Sequence, residues 1–258
     1  MRYLEESYDC LVQRSFYYAG YKQVKSSAWD LVRVLYDKNY LHCVDDTSVI
    51  PKKIHQIWFG GKLPDKYKRL TESWQRFHPT WEYKLWKDED IDSISLTKKD
   101  IFDASPNYAN KSDIFRYEIL RQQGGLYADT DFECLKSFDD LLCLDFFTGW
   151  AYDKSMILYT ALIATIPRHQ IINDCVNLLN HSYNGNNSFK IMDTTGPYYF
   201  TRCFLNSARE DTKGVVVFPP DFFYPLPNGD RWATRPHKYI KPFSYAIHHW
   251  AVSWLIKK

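Results

Sequence analysis

The run Gly124-Gly125-Leu126-Tyr127-Ala128-Asp129-Thr130-Asp131 decides how this chain folds. Paired glycines make a turn, and the apolar residues after them read as a short buried strand. The strand ends in two carboxylates one residue apart, close enough to reach one divalent cation. A hard cation such as Mg2+ or Mn2+ takes oxygen ligands and is often completed by substrate phosphates. Asp-x-Asp alone is cheap: acidic clusters also stand at Asp45-Asp46, Asp88-Glu89-Asp90 and Asp139-Asp140. The neighbours of the tripeptide therefore carry the reading.

Upstream, residues 112–123 read as a helix with Ile114, Phe115, Ile119 and Leu120 on its apolar side and Gly124 as its cap. Asp113 and Arg116 lie three apart and share one face of that helix. They read either as a local ion pair worth about 0.3–0.5 kcal/mol, or as a polar pair aimed into a site, where the forked donors of arginine suit an anion. Further back, Pro51 opens a new texture. Ile54 to Phe59 reads as the first buried strand, closed by Gly60-Gly61. Trp58 stands at its end, where open α/β sheets place ligands; stacking on a base and core packing account for it equally. Leu70 to Phe77 reads as a helix ended at His78-Pro79, and Tyr83 to Trp86 as the next strand, with Asp88 or Asp90 capping the segment after it.

Downstream, strands are expected at 146–150, 162–166 and 215–218, and helices at 170–182 and 197–207, where Pro197 suits a first turn. A final short strand over 245–247 leads into His248-His249-Trp250. This alternation predicts an α/β fold with a mostly parallel sheet. Trp29, Val32, Leu35 and Tyr36 fall at helical spacing, so residues 1–50 read as an N-terminal helical annex before a main domain at 51–258.

The formal charge of +2 is unlike a dedicated nucleic-acid binder. Aromatic residues make up 17% of the chain, more than stacking on ligands requires, so most are assigned to the core. The six cysteines (10, 43, 134, 143, 175 and 203) form no Cys-x-x-Cys pair and read as free thiols of a reducing compartment. The opening MRYLEESYDC is too polar for a signal peptide, and no run approaches the roughly 20 apolar residues of a membrane span. A cytoplasmic location is expected, with peripheral membrane association left open. Of two Asn-x-Ser patterns, at Asn110 and Asn186, the first abuts the motif region.

Two carboxylates do not close a metal site. His248 and His249 are the candidates for a further ligand, although both read equally as buried histidines, and Ser253 offers a hydroxyl.

As a set, these pieces resemble glycosyltransferase family 32, the Och1-like and capsular-polysaccharide enzymes with a DXD sugar-binding region. The pieces are Ile50 to Gly61, Ser73-Trp74, Trp86-Lys87-Asp88, Ser112 to Tyr117, Gly124 to Asp131, Thr195-Gly196-Pro197, Phe223-Tyr224-Pro225, and Ala246 to Trp250 with Ser253-Trp254. They run in order from about residue 50 onward. The resemblance implies a GT-A fold: a Rossmann-like single sheet flanked by helices, here with the short annex in front. It also implies a nucleotide-sugar donor, a UDP-sugar before a GDP-sugar, with Mn2+ or Mg2+ and retention of anomeric configuration. It places Ile57, Trp58, Asp113, Arg116, Tyr127, Asp129, Thr130 and Trp254 at the donor. Asp113, Arg116, Asp129 and Asp131 are the catalytic set it implies. It implies Asp131 as the direct metal ligand, Asp129 as facing ribose and metal, and His248 as the first choice for a third ligand. His249 stays open.

The activity so implied is hexosyl or N-acetylhexosaminyl transfer to a glycan acceptor in surface polysaccharide or oligosaccharide synthesis. A toxin-like transferase with a protein acceptor is the second expectation. A non-catalytic sugar-binding module is the third. A phosphohydrolase would want Asp-x-Asp-x-Thr, where this chain has Glu133. Acceptor contacts are expected in the 184–195 and 222–242 loops, with Arg231, Trp232 and Arg235 as candidates for a glycan groove or as solvated loop residues.

Overall fold

The computed structural model of the chain describes residues 6–15, 27–41, 47–105, 107–152, 156–180 and 188–251. Its strands are β1 (Lys53–Ile57), β2 (Glu82–Trp86), β3 (Gly125–Ala128), β4 (Phe132–Cys134), β5 (Phe146–Tyr152), β6 (Met156–Thr165), β7 (Val215–Phe218) and β8 (Ala246–His248). Its helices are α1 (Tyr8–Gln13), α2 (Ser27–Tyr36), α3 (Asp65–Phe77), α4 (Lys99–Ala104), α5 (Tyr108–Gln123), α6 (Gln170–Asn177), α7 (Ser188–Thr194), α8 (Pro197–Ser207) and α9 (Pro220–Phe223).

Six strands form one sheet in the order β2-β1-β3-β6-β5-β7. Parallel pairing joins β1 to β2 and β3, and β5 to β7; β6 alone runs antiparallel to its neighbours. Helices cover both faces, so β3 and β7 are near-continuous apolar runs, and β1 is buried from Ile54 to Ile57 although it carries His55 and Gln56. The expected α/β class holds, with two differences. The reading at 162–166 caught only the end of β6, which begins at Met156 and forms a hairpin with β5. The single sheet is joined by a second, two-stranded ribbon of β4 and β8.

Helix boundaries follow local chemistry. The Asn107 side chain accepts from the Asn110 amide to start α5, four residues before the apolar pattern announces it. Gly124 ends it at a φ of 63°, and Gly125 follows at 93°. A Cβ on Gly125 would meet the Lys53 carbonyl oxygen at 2.7 Å, because β3 enters the sheet against β1 there. Asp90 accepts from the Lys87 amide as the expected cap, while Asp88 turns to the Gly60 amide instead. Helix α6 stops at Asn177, short of the expected 182; residues 181–187 lie outside the described residues.

The aromatic surplus fills the core. Phe147, Phe218, Phe222, Phe223 and Tyr245 pack ring against ring around Phe138 and Tyr36. The N-terminal helices belong to that same core: Trp29 meets Trp150 edge to face at 4.3 Å, and the Trp150 indole donates to the Tyr8 hydroxyl. No helix among the described residues is long and apolar enough to cross a membrane.

Candidate active site

Parallel strands β1 and β3 end on one edge of the sheet. Their register pairs His55 with Tyr127, and its extension sets Ile57 beside Asp129. Trp58 follows β1, half-buried, its ring 5.3 Å from that of Tyr67. Asp129 follows β3. Its backbone is fixed by the Ala161 carbonyl and by Gln56, which donates to the Asp129 carbonyl at 3.1 Å and is itself held by Tyr83.

Helix α5 delivers Asp113 and Arg116 to the same place, both nearly fully buried. Arg116 bridges two carboxylates, at 3.3 Å from Asp113 and 3.2 Å from Asp129. It also donates to the carbonyls of Thr160 and Ser112 and lies 4.4 Å from the centre of the Tyr127 ring. Little of its donor capacity remains for an incoming anion. The residue is thus spent mainly on orienting carboxylates, where the sequence left a surface ion pair or an anion clamp.

Under Asp113 lies a network that the sequence did not disclose. Thr195 donates to Asp113 at 3.0 Å, Asn110 donates to Thr195 at 2.9 Å, and Tyr117 donates to the Thr195 carbonyl. Burial pushes the Asp113 carboxyl up to about 6, against the pull of Arg116 and of the Thr195 hydroxyl. A signal existed: Asn110, Asp113 and Tyr117 recur at helical spacing in a helix whose other residues from 114 to 120 are all buried.

Asp131 ends the turn into β4 and is nearly buried. Its Oδ1 stands 3.1 Å from His248 Nε2, and its Oδ2 accepts from the Ala251 amide at 2.8 Å. Burial works to raise this carboxyl; the facing imidazole and the Ala251 amide overcome it and hold the carboxyl below its ordinary value. Asp129 is more open. Tyr127 donates to its Oδ1 at 2.7 Å, Arg116 meets the same oxygen, and the described residues leave Oδ2 unengaged.

The ligand atoms of Asp129, Asp131 and His248 all lie within 4.8 Å of one another. His248 is fixed by ring contacts with Phe132 and Trp250, and its Nδ1 is buried with no partner among the described residues. Three carboxylates gather here with one guanidinium, which pairs with Asp113 and Asp129, while Asp131 faces the His248 imidazole; negative charge is in excess in a largely buried setting. Such an excess is costly unless a cation balances it, so the donor set fits a hard divalent ion.

The structure separates the two histidines. Phe132 pairs with His248, and alternation along β4 and β8 turns Glu133 and His249 to the opposite face. There His249 Nε2 stands 3.1 Å from Glu133, in a group of ligand atoms separate from that of Asp129 and Asp131. Ile57, Tyr127 and Thr130 are buried at the strand ends, and of the three only Tyr127 bonds to an acidic side chain there. Ser253 and Trp254 lie outside the described residues. Of the acceptor candidates, Trp232 is 79% exposed under the Arg231 guanidinium, and Arg235 is exposed.

Residues 64–147 match the glycosyltransferase sugar-binding region containing the DXD motif, and residues 164–254 match the alpha 1,4-glycosyltransferase conserved region. Inositol phosphoceramide mannosyltransferase 3 of Schizosaccharomyces pombe is 26% identical over 243 residues, 86% of this chain and 66% of that protein. Lactosylceramide 4-alpha-galactosyltransferase of Rattus norvegicus is 29% identical over 157 residues, 54% of this chain and 40% of that one. The chain therefore spans less than two thirds of the length of these curated relatives. Among solved structures, the PaToxG glycosyltransferase aligns with a TM-score of 0.49 at 19% identity, covering 73% of this chain and 79% of that one. Over two adjoining regions the chain is similar to DXD-containing glycosyltransferases, consistent with one of the family 32 kind.

Proposed function

We propose that the protein transfers a hexose or N-acetylhexosamine from a nucleotide sugar to a glycan acceptor, with retention of configuration. The observation that carries this reading is the convergence of Asp129, Asp131 and His248 beside the Arg116-held Asp113, at the ends of two parallel strands. In this reading residues 51–258 are the catalytic domain and residues 1–50 its annex.

Asp131, His248 and Asp129 would hold Mn2+ or Mg2+, with Ser253 as a further candidate. Such an ion supplies charge neutralisation for a departing diphosphate. The open Oδ2 of Asp129 would be available to the ribose or the ion, and Asp131 and His248, now in contact, would both serve as ligands. Trp58, with Ile57 beside it, offers a stacking face for the base, and Thr130 and Trp254 complete the donor contacts. Asp113 accepts from a sugar hydroxyl, held in place by Arg116 and Thr195. No other carboxylate among the described residues stands with these groups as a nucleophile, so front-side attack by the acceptor is the favoured route to retention.

The donor base is a UDP-sugar first, a GDP-sugar second. The relatives are named for mannosyl transfer to inositol phosphoceramide and galactosyl transfer to lactosylceramide, which supports a hexose donor and a lipid-borne glycan among the candidate acceptors. A role in surface polysaccharide or oligosaccharide synthesis in the cytoplasm is part of the same proposal. Incubation with a panel of nucleotide sugars and Mn2+, with release of UDP or GDP as readout, tests it. Asp131→Asn should lower release by at least about 10²-fold with an unchanged melting temperature. Undiminished, still metal-dependent release in that variant would overturn the assignment.

A further inference from the structure

On the far face of the ribbon, three metal-binding side chains from three separate places in the chain meet at one point. Glu133 comes from β4, His249 from the residue after β8, and His237 from the turn Pro236–Tyr239 in the connection between α9 and β8. His237 Nε2 lies 2.9 Å and His249 Nε2 3.1 Å from the same oxygen, Glu133 Oε2. All the ligand atoms fall within 4.8 Å of one another, and the imidazole rings are nearly perpendicular, with centroids 6.3 Å apart.

We propose that Glu133, His237 and His249 form a second metal site, selective for a borderline transition ion, Zn2+ first. The donor set differs in kind from the one at Asp129 and Asp131. Two imidazoles and one carboxylate suit Zn2+, whereas Mg2+ prefers all-oxygen shells. In a tetrahedral site with bonds of about 2.0–2.1 Å, ligand atoms stand about 3.3 Å apart. The observed separations of 2.9 and 3.1 Å need only a few tenths of an ångström of opening to admit the ion. The three side chains leave the fourth position to water, since His237 is largely exposed and the cluster faces solvent.

The bound ion would tie the connection over residues 224–245 to the ribbon that carries Asp131 and His248. Without metal, both histidines donate to Glu133 and hold its carboxylate down to about 2 against burial, a weaker form of the same tie.

The test uses the intact chain, dialysed against trace Zn2+ in excess Mg2+ so that the hard site is filled. One Zn2+ should be retained per chain, and Zn2+ should raise the melting temperature. His237→Gln keeps a side-chain donor for Glu133 but cannot ligate; it should weaken Zn2+ retention by at least about tenfold and abolish the thermal shift. Asp131→Asn should leave Zn2+ retention intact, which separates this proposal from the assignment of the transferase site. Failure of the native chain to retain Zn2+, equal retention by His237→Gln, or loss in Asp131→Asn alone would each overturn it.

Discussion

Asp129 and Asp131 stand one residue apart and face different company. Asp129 answers to Tyr127 and Arg116, and Asp131 to His248 and the Ala251 amide. Behind them, burial raises the Asp113 carboxyl to about 6. With its value near 6, it is ionised above that pH and gains a proton below it. If Asp113 accepts from a sugar hydroxyl as proposed, the acid limb of a kcat/KM profile should fall through about pH 6. A profile flat down to pH 5 would remove Asp113 from donor binding. Much of this was legible: the tripeptide, Asp113 and Arg116 all stand where their spacing placed them. The choice between His248 and His249 was not. It depends on which of two adjacent residues pairs with Phe132, and the register of a three-residue strand leaves no trace in its own sequence.

The ribbon of β4 and β8 shows at the scale of elements why Ser73-Trp74 travels with the acidic motif. One edge of β4 pairs with β8; the other is closed by α3. The Ser73 hydroxyl accepts from the Cys134 amide, and the Trp74 indole donates to the Phe132 carbonyl. A short edge strand is thereby left with few free polar groups. Ser73→Ala should cost about 1 kcal/mol in urea unfolding; an unchanged midpoint would show that β4 does not depend on this bond. The strand before it is tighter. Gly125→Ala needs a φ of 93° and a Cβ against the Lys53 carbonyl, so it should destabilise by about 1–3 kcal/mol before any clash is relieved. A melting temperature within error of the native value would contradict that geometry. The Gly-Gly turn was readable because only such residues reach these angles. The hairpin of β5 and β6 was not, because Met156 to Thr165 is a near-continuous apolar run whose periodicity does not mark where the strand starts.

For the whole molecule, the aromatic surplus is a core and not a carbohydrate surface, as the composition suggested. The same burial traps histidine. His55 lies inside the sheet between the Gly124 carbonyl and the Trp86 indole, and burial lowers it from 6.5 to about 4. The unfolded chain takes up this proton first. The stability tied to neutral His55 is therefore present above pH 6.5 and lost as pH falls toward 4, about 3 kcal/mol in all. Unfolding midpoints measured from pH 7 to pH 4 should decline, and less steeply in His55→Gln; identical slopes would exonerate this residue. The separation of Asp131 from His248 along the chain has a consequence in time. Synthesis proceeds from the N-terminus, and the last strand of the main sheet ends at Phe218. A nascent chain can thus close its sheet while still lacking His248. In the proposed transferase, metal affinity would then appear only after the main sheet has closed, and a chain stalled before β8 would lack one of the proposed ligands.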